Sequence, residues 1–340
     1  MDKLDSLGIG KALELFPEQI KRTFKQALLE INVIKLAFNS VIVCGMGGSS
    51  NAGKILQSLV ETDNSIPMHV YNDYDLPSWV NKNTLVVLNS YSGNTEETLS
   101  AYPVALKNNC QIVGITTGGK VAELIKEEKI KGAIISAGDT NPSGYPKSGL
   151  GLSLGALMGV LVKVGFINFS ESDIDDALNE LKKIRSEWNV EEIAQKLKGK
   201  TPIYFSGRSL VGALNAARNA TCEIGRVFTQ FYDFPEVNHV LIEALSLPKE
   251  VKNNRYLFFE SKFDNERIKL RYKITKELLK KQELKYLTYS LKGSTKFVQC
   301  LELAHFGAWI GYYLSILRKD DPGPEPWIIE LKNRLSQPTH

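Results

Sequence analysis

Cysteine is nearly missing from this chain, and what there is never clusters. Cys44, Cys110, Cys222 and Cys300 are its four in 340 residues, with no Cys-x-x-Cys pair. That spacing excludes a disulfide framework and a thiolate metal site. Two fall in or beside apolar strand runs and two in helical patterns, so buried free thiols in a reducing compartment are expected. The four histidines are equally scattered, and without a ligand-type cluster no metal and no cofactor are expected. No run of about 18 uncharged apolar residues occurs, so no membrane span is expected. The opening Met1-Asp2-Lys3-Leu4-Asp5 has no apolar signal-type stretch, and the expected location is the cytoplasm. An excess of one charge is lacking too: 42 Lys and Arg stand against 38 Asp and Glu, a net +4 spread along the chain. The densest basic run, Lys276 to Lys281, reads as a solvated helix face, and no nucleic-acid partner is expected.

What is present is a pair of small-residue loops, each following a short apolar run. Val41-Ile42-Val43-Cys44 leads into Gly45-Met46-Gly47-Gly48-Ser49-Ser50, and Leu85-Val86-Val87-Leu88 leads into Ser90-Tyr91-Ser92-Gly93-Asn94-Thr95. Each run reads as a fully buried strand and each loop opens a helical pattern. Glycines let backbone N–H groups approach a ligand, and a helix N-terminus adds unpaired donors and positive dipole. Ser90, Ser92 and Thr95 contribute hydroxyls. Such a pocket suits a small dianion such as a sugar phosphate.

Two commoner phosphate motifs fail. Gly48-Ser49-Ser50-Asn51-Ala52-Gly53-Lys54 matches a P-loop up to its eighth position, where Ile55 replaces the Ser or Thr that holds magnesium. The dinucleotide fingerprint fails at Ser50, where Gly or Ala is required. Either loop alone could be a glycine turn for tight strand–helix packing. Two with complementary chemistry favour an anion pocket.

Strands and helices alternate along the chain. A helical lead-in covers 12–37, with Pro17 near a helix start. Strands follow at 40–44, 68–71, 84–89, 110–116 and 132–136, with helices at 49–60, 96–109 and 120–128. A Gly- and Leu-rich helix, about 148–165, closes this half. Charged amphipathic helices over 172–199 bridge to a second unit that opens with strand 202–205, the turn Ser206-Gly207-Arg208-Ser209 and a long helix to about Val227. Strand 255–260, helix 265–282, strand 285–290, helix 295–318 and a last helix, about 327–336, complete it. The second half repeats the logic of buried strand, Gly/Ser turn and helix.

Phe234-Pro235-Glu236-Val237-Asn238-His239 reads as a non-helical Pro turn presenting an imidazole beside an amide that could orient it. Histidine is the side chain best able to move a proton near neutral pH. Glu223 lies 16 positions earlier, on the apolar side of a helix with Ala217 and Ala220. Burial there would raise its pKa into the range useful for a base; an ion pair with Arg218 or Arg226 is the alternative. The helix around 303–318, rich in Gly and aromatics, carries more apolar surface than one subunit is expected to cover, which points to a homodimer.

The two loops, with Glu96-Glu97-Thr98 after the second, resemble the sugar isomerase (SIS) fold. Pro235-Glu236-Val237-Asn238-His239, Gly311-Tyr312-Tyr313-Leu314 and Asp321-Pro322-Gly323-Pro324 narrow the likeness. Together they are similar to the bifunctional phosphoglucose/phosphomannose isomerases of archaea and some bacteria, over about residues 15–336. The resemblance implies an α/β protein of two SIS-type three-layer α/β/α subdomains with parallel sheets. The first, with its N-terminal helix, spans 1–166, a helical connector 167–200, and the second, with its C-terminal helix, 201–340. It implies a phosphate pocket from Gly47, Gly48, Ser49, Ser90, Ser92 and Thr95, and Glu223 as the base between C1 and C2. His239 would open the ring from the partner subunit of a dimer, together with Lys332.

Three departures stand out. Pro146-Lys147 occupies the position of the family's Pro-Arg, whose arginine steadies the enediolate; lysine keeps the charge but loses the fork. Cys222-Glu223-Ile224 replaces Asn-Glu-Asn. Gly323 takes the place of a threonine tied in the family to accepting mannose 6-phosphate. The expected function is cofactor-free interconversion of glucose 6-phosphate, with mannose 6-phosphate a second candidate, and fructose 6-phosphate. The rivals are a non-catalytic sugar-phosphate sensor on the same fold, and an isomerase of another sugar phosphate. Such sensors carry an added DNA-binding helical domain, and 39 residues precede the first expected strand.

Overall fold

A computed structural model describes residues 3–31 and 36–335. The first sheet is built from β1 (Ser40–Cys44), β2 (Met68–Tyr71), β3 (Thr84–Asn89), β4 (Gln111–Thr116) and β5 (Lys131–Ile134), in the order β2-β1-β3-β4-β5. The second contains β6 (Thr201–Gly207), β7 (Gln230–Phe234), β8 (Asn254–Glu260) and β9 (Tyr286–Ser290), in the order β7-β6-β8-β9. Every pairing is parallel. β1 and β3 are buried along their whole length, which is why they read as unbroken apolar runs rather than alternating ones.

The helices are α1 (Ile9–Glu14), α2 (Phe16–Glu30), α3 (Gly47–Val60), α4 (Glu96–Lys107), α5 (Gly119–Lys126), α6 (Leu150–Lys163), α7 (Glu171–Ser186), α8 (Val190–Leu197) and α9 (Val211–Glu223). They continue with α10 (Val237–Val240), α11 (Pro248–Val251), α12 (Glu266–Lys281), α13 (Lys296–Arg318) and α14 (Pro326–Leu335). Strand alternation sorts side chains between layers. Val41, Val43, Leu85 and Val87 join the large central core, whereas Ile42, Cys44, Val86 and Leu88 pack outward with Ala101 and Ala105 of α4. In the second sheet Tyr204, Leu257 and Phe259 face the same central core, and Phe205, Tyr256 and Phe258 pack with Tyr272 and Leu279 of α12. Two three-layer α/β/α units therefore share their inner helical layers. Each fully buried aliphatic side chain contributes about 1.5–3 kcal/mol to that core.

α9 fixes the functional geometry because it lies between α3 of the first unit and α13 of the second. Small residues let the backbones touch. A Cβ on Gly212 would fall 1.9 Å from the Lys54 carbonyl oxygen, and one on Gly307 would fall 2.2 Å from the Ala217 Cβ. No methyl group fits at either place.

The lead-in resolves into α1 and α2, with Pro17 in the first turn of α2. α2 ends at Glu30, and Ile31, Leu36 and Ala37, where the helix was expected to continue, are not helical; 32–35 lie outside the described residues, as does position 336 of the last helix. The helix expected to reach Val227 stops at Glu223, and β7 follows where no strand was expected. Gln230 and Asp233 break its apolar pattern, and all but Phe234 are only half-buried at the sheet edge. The Pro235 turn gives way to the one-turn helix α10, which carries His239. α13 corrects another expectation: Leu303, Phe306, Ile310 and Leu314 are buried, and α1, α7, α8 and α9 cover the helix within the chain. α14 instead carries a run of uncovered apolar side chains: Trp327, Ile328, Ile329, Leu331 and Leu335 are exposed. Of the four thiols, Cys44 and Cys300 are buried and Cys110 and Cys222 only partly so. Among the described residues no helix is long and apolar enough to cross a membrane.

Candidate active site

Strand order reverses between β1 and β3, and parallel sheets bind ligands at the carboxyl ends of such a pair. Both small-residue loops leave the sheet there. Met46 caps α3, Gly47 has φ +52°, and the N–H groups of Gly47 and Gly48 open the helix with no carbonyl behind them. Across the crevice Thr95 caps α4. Ser90 Oγ lies 2.8 Å from Thr95 Oγ1 and accepts from Gly93 N–H at 3.0 Å, while the Asn94 N–H reaches Ser92 Oγ at 3.3 Å. Asn89 Nδ2 donates to the Ser49 carbonyl at 3.1 Å, tying the two loops together. The loop from Asn141 to Gly149 closes one side: Asn141 Nδ2 bonds the Tyr145 carbonyl at 3.0 Å, and a Cβ on Gly48 would stand 3.3 Å from the Pro146 carbonyl.

A cavity of about 30 Å³ beside this crevice is lined by Gly48, Asn51, Lys147, Asn219, Glu223 and His305, among others. Glu223 ends α9, and burial pushes its carboxyl up to about 7, helped by the nearby Glu325 and opposed by Lys147, Arg218 and Lys332. Neither arginine pairs with it. Arg218 stacks over Phe231 and donates to Asn215 Oδ1, and Arg226 donates to the Pro324 carbonyl. Among the described residues no group of three His, Cys, Asp or Glu side chains could hold a metal ion.

Lys147 is engaged otherwise than expected. Its buried Nζ donates to the carbonyls of Pro322 at 2.9 Å and Gly323 at 2.7 Å and pairs with Glu325 Oε1 at 3.3 Å. An ammonium has three protons, so all are committed to the strap that joins α13 to α14. Desolvation lowers its pKa, and Glu325 acts in the opposite sense. In place of a cation free to face a substrate oxyanion, Lys147 is the anchor of that strap.

The chain has clear relatives among known proteins. A family model described as "Bacterial phospho-glucose isomerase C-terminal SIS domain" matches residues 188–335, and a "SIS domain" model matches 38–134. A bifunctional phosphoglucose/phosphomannose isomerase of Caldicellulosiruptor bescii is 31% identical, covering 94% of this chain and 97% of its own. The chain belongs to the bifunctional phosphoglucose/phosphomannose isomerase family. A second such isomerase, from Thermoplasma acidophilum, is 26% identical over 94% of this chain and 97% of its own. The crystal structure of tagatose-6-phosphate ketose/aldose isomerase from Escherichia coli superposes with a TM-score of 0.69 over 94% of this chain and 97% of that one; at 14% identity it speaks for the fold.

Within this isomerase-family chain the residues singled out from sequence divide into two groups. Gly47, Gly48, Ser49, Ser90, Ser92 and Thr95 sit on the two loops of one crevice. Glu223 and Lys147 share the adjoining cavity, and the charge of Lys332 on α14 is felt at Glu223. His239 stands apart: it is exposed on α10 and lines no part of that cavity. Nor does Asn238 orient it, since Asn238 Nδ2 donates to Thr275 Oγ1 at 2.8 Å and its Oδ1 accepts from Arg271 at 3.1 Å.

Sequence reasoning missed Glu325, whose approach depends on a fold of the strap. It also missed Asn51, Asn215 and Asn219. The last two stand at i−8 and i−4 from Glu223, a polar stripe on a helix otherwise rich in alanine, and that spacing was a readable signal. His305 is wholly buried and neutral, with a pKa pushed by burial down to about 3; its Nε2 meets the Leu13 carbonyl at 2.8 Å, and its Nδ1 has no partner among the described residues.

Proposed function

We propose that this chain is an aldose–ketose isomerase that interconverts glucose 6-phosphate and fructose 6-phosphate through a cis-enediol, without a metal or redox cofactor. Mannose 6-phosphate is a second candidate substrate. The observation that carries this reading is Glu223: a carboxyl poised near neutrality by burial, in a cavity that adjoins a crevice of free helix-N-terminal donors. Phosphate held at Gly47, Gly48, Ser49, Ser90, Ser92 and Thr95 anchors the substrate remotely, so its binding energy positions C1 and C2 against Glu223. His239 and Lys332 open the ring. Glu223 then takes the C2 proton and returns it to C1. With Lys147 committed to the strap, backbone N–H groups carry the developing oxyanion.

His239 reaches the site only from a second copy, so the working unit of this reading is a homodimer. The bare apolar side of α14, next to exposed Phe228, supports it. A coupled assay of fructose 6-phosphate turnover tests the activity. EDTA should leave the rate unchanged, and hydrogen at C2 should exchange partly with solvent. A protein inert towards both sugar phosphates ends the reading. For the dimer, Glu223→Gln subunits mixed with His239→Ala subunits should regain activity that neither has alone; a fully active monomer overturns that part.

A further inference from the structure

Four side chains between α3 and α9 form a chain of hydrogen bonds whose orientation is dictated from one end. Arg218 has only donors, and its Nη2 lies 3.0 Å from Asn215 Oδ1. That fixes which end of the Asn215 amide is oxygen and turns its Nδ2 toward Asn51, 2.8 Å from Asn51 Oδ1. Asn219 Nδ2 donates to the same oxygen, also at 2.8 Å. Flipping Asn215 would set its amide nitrogen against the arginine, and flipping Asn51 or Asn219 would set donor against donor or acceptor against acceptor. Two groups remain unused: the Nδ2 donor of Asn51 and the Oδ1 acceptor of Asn219. Among the described residues neither has a hydrogen-bond partner, and neither is a buried polar atom sealed from solvent. Asn51 and Asn219 both line the cavity that holds Glu223.

We infer that Asn51 and Asn219 form a hydroxyl subsite for the carbon chain of the substrate, Asn51 Nδ2 donating to one sugar hydroxyl and Asn219 Oδ1 accepting from it. A hydroxyl is donor and acceptor at once, and a matched amide pair is the recognition it calls for. The enclosed part of that cavity, about 30 Å³, has room for a water-sized group such as a hydroxyl. The chain therefore lies at its mouth and inserts one substituent. Asn219 is one helical turn from Glu223, about 6 Å along the axis, so the hydroxyl is within a few bonds of the carbons that exchange the proton. Arg218 and Asn215 are positioning residues: they act by fixing the direction of the two amides. The subsite rests on the isomerase reading and adds to it what holds the carbon chain once the phosphate is anchored.

The test compares inhibition by a hexitol 6-phosphate, which carries the hydroxyls, with inhibition by inorganic phosphate, which reaches only the loops. Asn219→Ala should weaken the hexitol phosphate roughly tenfold and leave inorganic phosphate unchanged. Should Asn219→Ala fail to fold, Asn219→Ser keeps a small polar group in its place, adds no charge beside the phosphate loops and removes the amide acceptor; the same selective loss is expected. Among deoxy analogues of the hexitol phosphate, the one lacking the bound hydroxyl should bind wild type and variant alike. Equal weakening of both inhibitors, or of neither, overturns the subsite while leaving the isomerase reading intact. Wild-type protein that neither binds the hexitol phosphate nor turns over fructose 6-phosphate overturns both.

Discussion

Each half of this molecule has a crevice where parallel strand order reverses, and the two are furnished in opposite ways. Between β1 and β3 the chain supplies glycine N–H groups and hydroxyls that leave room for an anion. Between β6 and β8 the corresponding space is filled from within. Asp264 Oδ1 stands 2.2 Å from where a Cβ on Gly207 would be, and its Oδ2 accepts from Tyr272 O–H at 2.7 Å and from Ser261 N–H at 3.3 Å. Arg208, at the mouth, is paired with Glu61 and Asp233. A buried carboxylate there repels phosphate and occupies its place. The fold offers a ligand crevice twice, and side-chain chemistry leaves one open. The second half enters the site by another route, through the end of α9 and the strap before α14.

The largest break in that comparison comes from the base. Glu223→Gln keeps the shape but removes basicity, so turnover should fall by about two to four powers of ten while binding of a hexitol 6-phosphate stays nearly constant. The acid limb of the wild-type rate profile should follow Glu223: kcat/KM drops about tenfold per pH unit below about 7 and levels off above. The stability sign follows as well. A carboxyl whose folded pKa lies above its unfolded one costs stability as pH rises. Glu223→Gln should therefore melt above the wild type at pH 8 and with it at pH 4. A rate limb at the ordinary carboxylate pKa, with no melting difference, argues against a buried base.

Next in size is the open crevice. Ser49→Ala with Thr95→Ala removes two hydroxyls from facing loops, and KM for fructose 6-phosphate should rise about 10- to 50-fold with kcat changed far less. The helix N-termini remain, so binding is weakened and not abolished. Unchanged KM in the double variant would move the phosphate elsewhere.

The first crevice was legible because everything it needs is local: buried strand, glycine turn and helix start occupy 11 consecutive residues from Ser40 to Ser50. The same local pattern also appears at Pro202–Ser209, where the crevice is closed. What closes the second crevice, Asp264 and Tyr272, lies some 60 residues downstream. The contacts of Lys147 were hidden for the same reason: its acceptors at Pro322 and Gly323 are 175 and 176 positions away. α13 looked like an exposed apolar surface because its largely apolar pattern cannot say whether the cover is a second subunit or the chain's own helices. By contrast the Asn215–Asn219–Glu223 stripe was local and readable. Its polar residues at helical spacing were the clue, and only the carboxylate was weighed.

The smallest effect on catalysis, and the sharpest control, is expected at the closed crevice. Asp264→Ser makes the second crevice resemble the first by replacing a carboxylate with a hydroxyl. If the Asp264 carboxylate is a structural filler, losing it leaves the Tyr272 hydroxyl and the Ser261 N–H without their acceptor. Stability should then fall by about 1–3 kcal/mol in urea unfolding. Relief of the charge's own burial, which raises the Asp264 pKa, offsets part of that cost. KM and kcat for fructose 6-phosphate should stay within about twofold of wild type, because no group of the first crevice or of the Glu223 cavity touches Asp264. A large rise in KM without loss of stability would mean that the second crevice handles substrate, and that the contrast between the two halves is wrong.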